Sequence, residues 1–156
     1  MDTKEEITRR LTALVGLNVS WVSHAADMLT MQFGPQRQYT TSRGTVLEGG
    51  AFALHVQCSW RLEEGGRVDD LRGPDEKAHA SADCLRGSLV DHGPVIVEAV
   101  SVDEAASIVL FLSRDFWLIV TPDGAEDDED WRFFAPGVSG PHLVIEDGRI
   151  APESFT

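Results

Sequence analysis

Cations are scarce in this chain. Lys4 and Lys77 are its only lysines, and 13 Lys+Arg stand against 26 Asp+Glu, a net charge of −13. The basic residues are scattered, with only Arg9 and Arg10 adjacent. Nucleic-acid binding needs clustered cations that displace counterions from phosphates, and an anionic membrane surface needs a polybasic patch. Neither partner is expected. Long apolar runs are missing too. Ile108–Leu112 stops at Ser113-Arg114-Asp115, far short of the roughly 20 residues of a membrane helix. The opening Met1-Asp2-Thr3-Lys4-Glu5-Glu6 is acidic and lacks the apolar core of a secretory signal, so the expected compartment is the cytoplasm. Cysteine is limited to Cys58 and Cys84, with no C-x-x-C, which suits free thiols in a reducing compartment and excludes a disulfide framework.

Signature motifs are equally sparse. There is no G-x-S-x-G, P-loop, G-x-G-x-x-G or H-E-x-x-H. His79, Asp83 and Cys84 lack a second ligand pair for zinc. An EF-hand started at Asp123 places Ala125 at position 3, Asp128 at position 6 and Phe134 at position 12, and fails at each. No catalytic residue, cofactor or metal is assigned.

What is present is a pattern of one helix and many strands. The 156 residues, 42% hydrophobic, suit a single domain over 1–156 that buries roughly 70% of its unfolded surface. Thr3 to Glu6 reads as a capping box, with Glu6 reaching back to Thr3. Ile7, Leu11, Leu14 and Val15 follow as one apolar stripe, and Gly16 suits a left-handed cap, predicting a helix over 3–15. From about 17 to 150 the period is two. Phe52, Leu54, Val56, Cys58, Trp60 and Leu62 alternate with Ala53, His55, Gln57, Ser59 and Arg61, the pattern of one long half-buried strand. Residues 35–50 read as a loop or edge hairpin, and Ser113-Arg114-Asp115 and Asp147-Gly148 as hairpin turns. Residues 65–94 read as a long irregular connection, with a short strand near Leu89-Val90. The expected class is α+β: an N-terminal helix packed on a mainly antiparallel, strongly bent sheet or half-open barrel.

Two groups of residues are candidates for binding. Trp21, His55, Gln57, Trp60 and Arg61 combine aromatic surface with hydrogen-bonding side chains, and could line a small-ligand pocket between sheet and helix. The acidic run Asp123, Glu126, Asp127, Asp128, Glu129 and Asp130 could dock a basic partner. From Asp115 through Trp131 there are seven acids and no base.

Phe52-Ala53-Leu54-His55-Val56-Gln57-Cys58-Ser59-Trp60-Arg61-Leu62 resembles the LHVQCxWR strand of a family of small bacterial proteins of unknown function. The tail from Glu129-Asp130-Trp131-Arg132-Phe133 to Pro141-His142-Leu143-Val144-Ile145 is similar too. The resemblance spans about two-thirds of the chain and implies a compact α+β domain, with no chemistry to carry over.

Three functions compete on these grounds. The favoured one is a non-enzymatic interaction domain, in its specific form an acidic immunity-type protein that masks a basic toxin. The alternatives are a small-ligand-binding domain and, behind it, an enzyme with His55 as general base and Arg61 as anion clamp. The last is weakened because six residues of extended strand separate those two by about 20 Å. Free strand edges make a homodimer a further expectation.

Overall fold

A computed structural model describes residues 3–25, 28–64, 67–70, 82–122, 128–138 and 140–155. The chain opens with α1 (Thr3–Leu11) and a tighter turn at Thr12–Leu14. Ile7, Leu11 and Leu14 are wholly buried, as their spacing on one stripe requires. The helix ends before residue 15: Val15 is extended, and Gly16 takes a φ of +92°, a conformation that L side chains rarely adopt. Gly16 N–H then donates to the Val97 carbonyl at 2.8 Å, so a distant strand sets the stop. Glu6 does not reach back to Thr3. Its buried carboxylate accepts instead from Arg9 and Arg10, stronger donors one turn ahead.

The chain continues through β1 (Val19–Ala25), β2 (Met28–Phe33), β3 (Arg37–Thr40), β4 (Val46–Gly49), β5 (Phe52–Val56), β6 (Ser59–Glu64) and β7 (Arg67–Asp70). After a helical segment at 82–91 come β8 (Val97–Val102), β9 (Ile108–Leu112), β10 (Phe116–Thr121), β11 (Glu129–Phe134), β12 (Leu143–Glu146) and β13 (Arg149–Ile150). A short turn helix, Pro152–Phe155, follows. The fold is α+β and mainly antiparallel sheet. Its strands form a six-stranded sheet, β1-β2-β5-β11-β12-β13, a five-stranded sheet, β7-β6-β10-β9-β8, and a two-stranded arm, β3-β4. Among the described residues there is no closed barrel.

The alternation at 52–62 is two strands in two sheets rather than one. Gln57 and Cys58 both donate their N–H to the Asp130 carbonyl, at 2.8 and 3.1 Å, which ends the pairing of β5 with β11 and redirects the chain to β10. The period survives the bend because Leu54, Val56, Cys58, Trp60 and Leu62 all enter one core. A second junction ties β1 to β8, where Val19 N–H donates to the Val95 carbonyl and Val97 N–H to the Leu17 carbonyl, both at 2.9 Å. The core draws on both sheets, on α1, which lies against β8, and on Leu85 and Leu89.

The connection 65–94 is not irregular throughout, since it holds β7 and the helical segment; residues 65–66 and 71–81 lie outside the described residues. Leu89 and Val90 are therefore helical, not extended, because Leu85 and Leu89 at i, i+4 bury one face. The polar stretch 35–50 forms the arm, and both expected hairpin turns are present with positive φ at Arg114, Asp115, Asp147 and Gly148. Among the described residues no helix is long and apolar enough to cross a membrane.

Candidate functional site

Residues directly opposite one another across antiparallel strands share a face. Register therefore places Ser23, Thr30, His55 and Arg132 in one row across β1, β2, β5 and β11. Trp21, Gln32, Ala53 and Phe134 make the adjacent row. The intervening residues Val22, Met31, Leu54 and Phe133 are buried, so both rows lie on the side of the six-stranded sheet turned away from the core.

Arg132 organises this face. Its Nη2 and Nε donate to Glu129 Oε1 at 2.7 and 3.2 Å, and its Nη1 donates to His142 Nδ1 at 3.0 Å. Gln57 Nε2 donates to the other oxygen of Glu129 at 3.2 Å. The His142 ring stacks on Phe134 with centroids 4.2 Å apart, and His55 meets the same ring edge-on at 4.9 Å. Burial pushes the pKa values of His55 and His142 down, and the nearby Arg132 charge adds to this against the opposing pull of Glu129. The hydrogen bond to Glu129 raises that of Arg132. At neutral pH the cluster is two neutral imidazoles, one aromatic ring and a guanidinium closed by its own carboxylate. It offers hydrogen bonds and a stacking surface, without net charge.

The five expected pocket residues do not converge. His55 and Gln57 belong to the cluster, and Trp21 shares its face but lies three strands away, about 14 Å. Trp21 is 44% exposed, with the Arg86 guanidinium 5.3 Å over its ring. Trp60 is buried in the core from β6, and Arg61 lies on the outer side of the other sheet, where its Nε sits 3.4 Å from Glu63. Arg132, Phe134 and His142 escaped sequence reasoning because only strand register brings them to His55.

The acidic run divides as well. Asp123, Glu126 and Asp127 lie outside the described residues. Asp128 is exposed, and Glu129 is engaged with Arg132 and Gln57. Asp130 is 2% exposed and accepts from Gly148 N–H at 2.9 Å, so its carboxylate fastens the β12–β13 turn and does not face a partner. Glu104, Asp147, Arg149, Thr121 and Pro122 line one open cleft of about 340 Å³. Pro122, which precedes the acidic run in sequence, stands in the wall of a cleft that carries two exposed carboxylates and the exposed Arg149. Among the described residues no group of three or more His, Cys, Asp or Glu could hold a metal ion. No family model matches this chain, and no curated protein or solved structure matches it either.

Proposed function

We propose that this chain is a non-enzymatic interaction domain for a basic protein partner, in the manner of an acidic immunity-type protein that caps a cationic toxin. The observation that carries the reading is the acidic end of the molecule, where Glu104 and Asp147 outnumber Arg149 in the cleft lined by Pro122, the residue just before the run 123–130. The net charge of −13 already counts every arginine, and Arg61, Arg86 and Arg132 each lie against a carboxylate of their own chain, so the unpaired surface charge that a partner meets is mostly negative. Such a field steers a basic partner and speeds encounter, most strongly at low salt. On this reading the protein works in the cytoplasm, with its N-terminal helix covering one end of a bent, half-open double sheet. The 52–62 segment and the 129–145 tail support membership of the small bacterial family they resemble.

The test is native mass spectrometry of the protein from its own host, followed by stopped-flow association with the polypeptide that co-purifies. A basic polypeptide whose association slows about tenfold at low salt when Asp123, Asp127 and Asp128 become Asn supports the reading. A neutral or acidic polypeptide, or an unchanged rate, sinks it.

The arm favours a homodimer as a second reading. Among the described residues no strand pairs with either edge of the two-stranded β3-β4 sheet, and Val46 and Leu47 are 59% and 43% exposed. A lone two-stranded sheet gains stability when another strand or surface covers it. Residues 35–50 carry Arg37 and Arg43 against Glu48 alone, a local excess of one positive charge on a strongly acidic chain. The acidic end of a second copy complements it. Sedimentation equilibrium at low salt is expected to show a dimer that R37E/R43E dissociates; a monomer at all concentrations removes this reading.

A further inference from the structure

A cleft of about 230 Å³ opens between α1 and the six-stranded sheet, lined by Arg10, Phe52, Phe133, Phe134, Ala135 and Leu143, with Pro141 at its edge. Its walls are aromatic: Phe52 and Phe133 stack with centroids 5.3 Å apart and planes at 16°. Its one ionic group is Arg10. The guanidinium Nε donates to Glu6 Oε1 at 2.9 Å and Nη2 to the Ser154 carbonyl at 3.1 Å. Its remaining N–H groups, including both on Nη1, have no partner among the described residues. Phe155 packs under the guanidinium, 5.5 Å from its centroid, and helps to hold it at the mouth of the cleft.

The ion pairs at the cleft leave cationic groups over. Among the described residues Glu6 is the one carboxylate bound to both Arg9 and Arg10, and those hydrogen bonds hold its pKa down, so it stays ionised. Two guanidiniums around one carboxylate leave one positive charge, on a chain whose net charge is −13. An anion repelled elsewhere on the surface finds compensation here. A planar carboxylate matches the free edge of the guanidinium, and an aromatic body matches the phenylalanine walls.

We infer that this cleft is a binding site for a small aromatic carboxylate, with the carboxylate on Arg10 and the ring against the stacked pair Phe52 and Phe133. The occupant is a free acid of one ring, because the cleft is at the small end of ligand cavities. The site is separate from the acidic end, and neither depends on the other.

The probe is 3-phenylpropionate, titrated into the full chain and followed by ¹H–¹⁵N correlation spectra. Saturable one-to-one binding is expected, with shifts at Phe52, Phe133, Phe134 and Arg10. The neutral isostere 3-phenylpropionamide should bind at least about tenfold more weakly, and R10Q should lower the affinity of the acid by a similar factor while leaving the amide unchanged. If R10Q disturbs the helix, Ala135→Leu serves instead, since it fills the cleft and removes no ion pair. It should abolish binding of acid and amide alike with the spectrum otherwise preserved. Equal binding of acid and amide, shifts mapping elsewhere, or no saturation by about 10 mM would overturn the inference. So would selective binding of a short peptide ending in free phenylalanine while 3-phenylpropionate does not bind.

Discussion

Arg132 donates from Nη1 to Nδ1 of His142 at 3.0 Å, and this single contact fixes the state of the histidine. A guanidinium has no acceptor, so Nδ1 must carry its lone pair and the proton must sit on Nε2. Protonating Nδ1 would break the bond and set two cations side by side. The linkage follows in sign. His142 and His55 both titrate below the ordinary histidine value in the folded chain, so between that value, about 6.5, and the lowered ones the unfolded chain binds more protons. Stability is fully present above the unfolded value and falls as the pH drops through that window. Glu6, also lowered, loses its contribution only as the pH falls below its unfolded value of 4.5 and does not interfere. Urea midpoints at about pH 7.5 and pH 5.5 should therefore differ more for wild type than for H142N, whose side-chain oxygen replaces Nδ1 as acceptor without titrating. Equal pH slopes for the two proteins would mean that the contact carries no linkage.

Trp131 reaches from β11 across the core to the β8–β9 turn, where its indole N–H donates to the Ala106 carbonyl at 3.0 Å. The side chain is wholly buried and Ala106 has a φ of +61°, so the bond braces a turn in an uncommon conformation. Trp131→Phe removes the donor, leaves a buried carbonyl unpaired and opens a small cavity. The expected loss is about 2–4 kcal/mol. Chemical denaturation measures it, and a loss below about 0.5 kcal/mol would show that the bond contributes nothing net.

Trp131 also shows which parts of the fold the sequence disclosed. Its strand, the stripe Ile7-Leu11-Leu14 and the turns at 113–115 and 147–148 were legible because each rests on neighbours within a few residues. The switch of sheets at Gln57-Cys58 was hidden, because both halves of the 52–62 alternation face one core and the pattern runs on unbroken. The cluster around Arg132 was half visible. His55 and Gln57 stood out on their own strand, but their meeting with Glu129, Phe134 and His142 depends on pairing β5 with β11 and β11 with β12. Such register is set by packing across the whole molecule.

Asp128 and Asp130 are two residues apart and should behave as different kinds of acid. Asp130 is buried with its carboxylate on Gly148 N–H, and its loss leaves that amide without a partner inside the β12–β13 turn. Asp130→Ala is expected to cost about 1–3 kcal/mol, and Asp128→Ala to stay within about 0.5 kcal/mol of wild type. Thermal unfolding separates them. Similar melting temperatures for the two variants would put Asp130 back among the surface acids.

The turn between β9 and β10 should respond in the opposite direction. Arg114 and Asp115 have φ of 65° and 62°, two successive L residues in the left-handed region, where the Cβ crowds the backbone. Arg114 has a compensation, since its Nη1 donates to the His92 carbonyl at 2.8 Å and ties the turn to the end of the 82–91 segment. Asp115 is exposed and makes no hydrogen bond or ion pair with a described residue. Glycine at 115 removes the crowding, offset in part by the extra freedom it gives the unfolded chain. Asp115→Gly is expected to stabilise the protein by about 0.5–1 kcal/mol, a rise of roughly 1–4 °C in Tm for a chain of this length. Arg114→Gly relieves the same strain but gives up the His92 bond, so it should gain less or lose. A scan in which Asp115→Gly melts no higher than wild type would show that the hairpin stores no strain at that position, and that strand pairing on either side sets its conformation without cost.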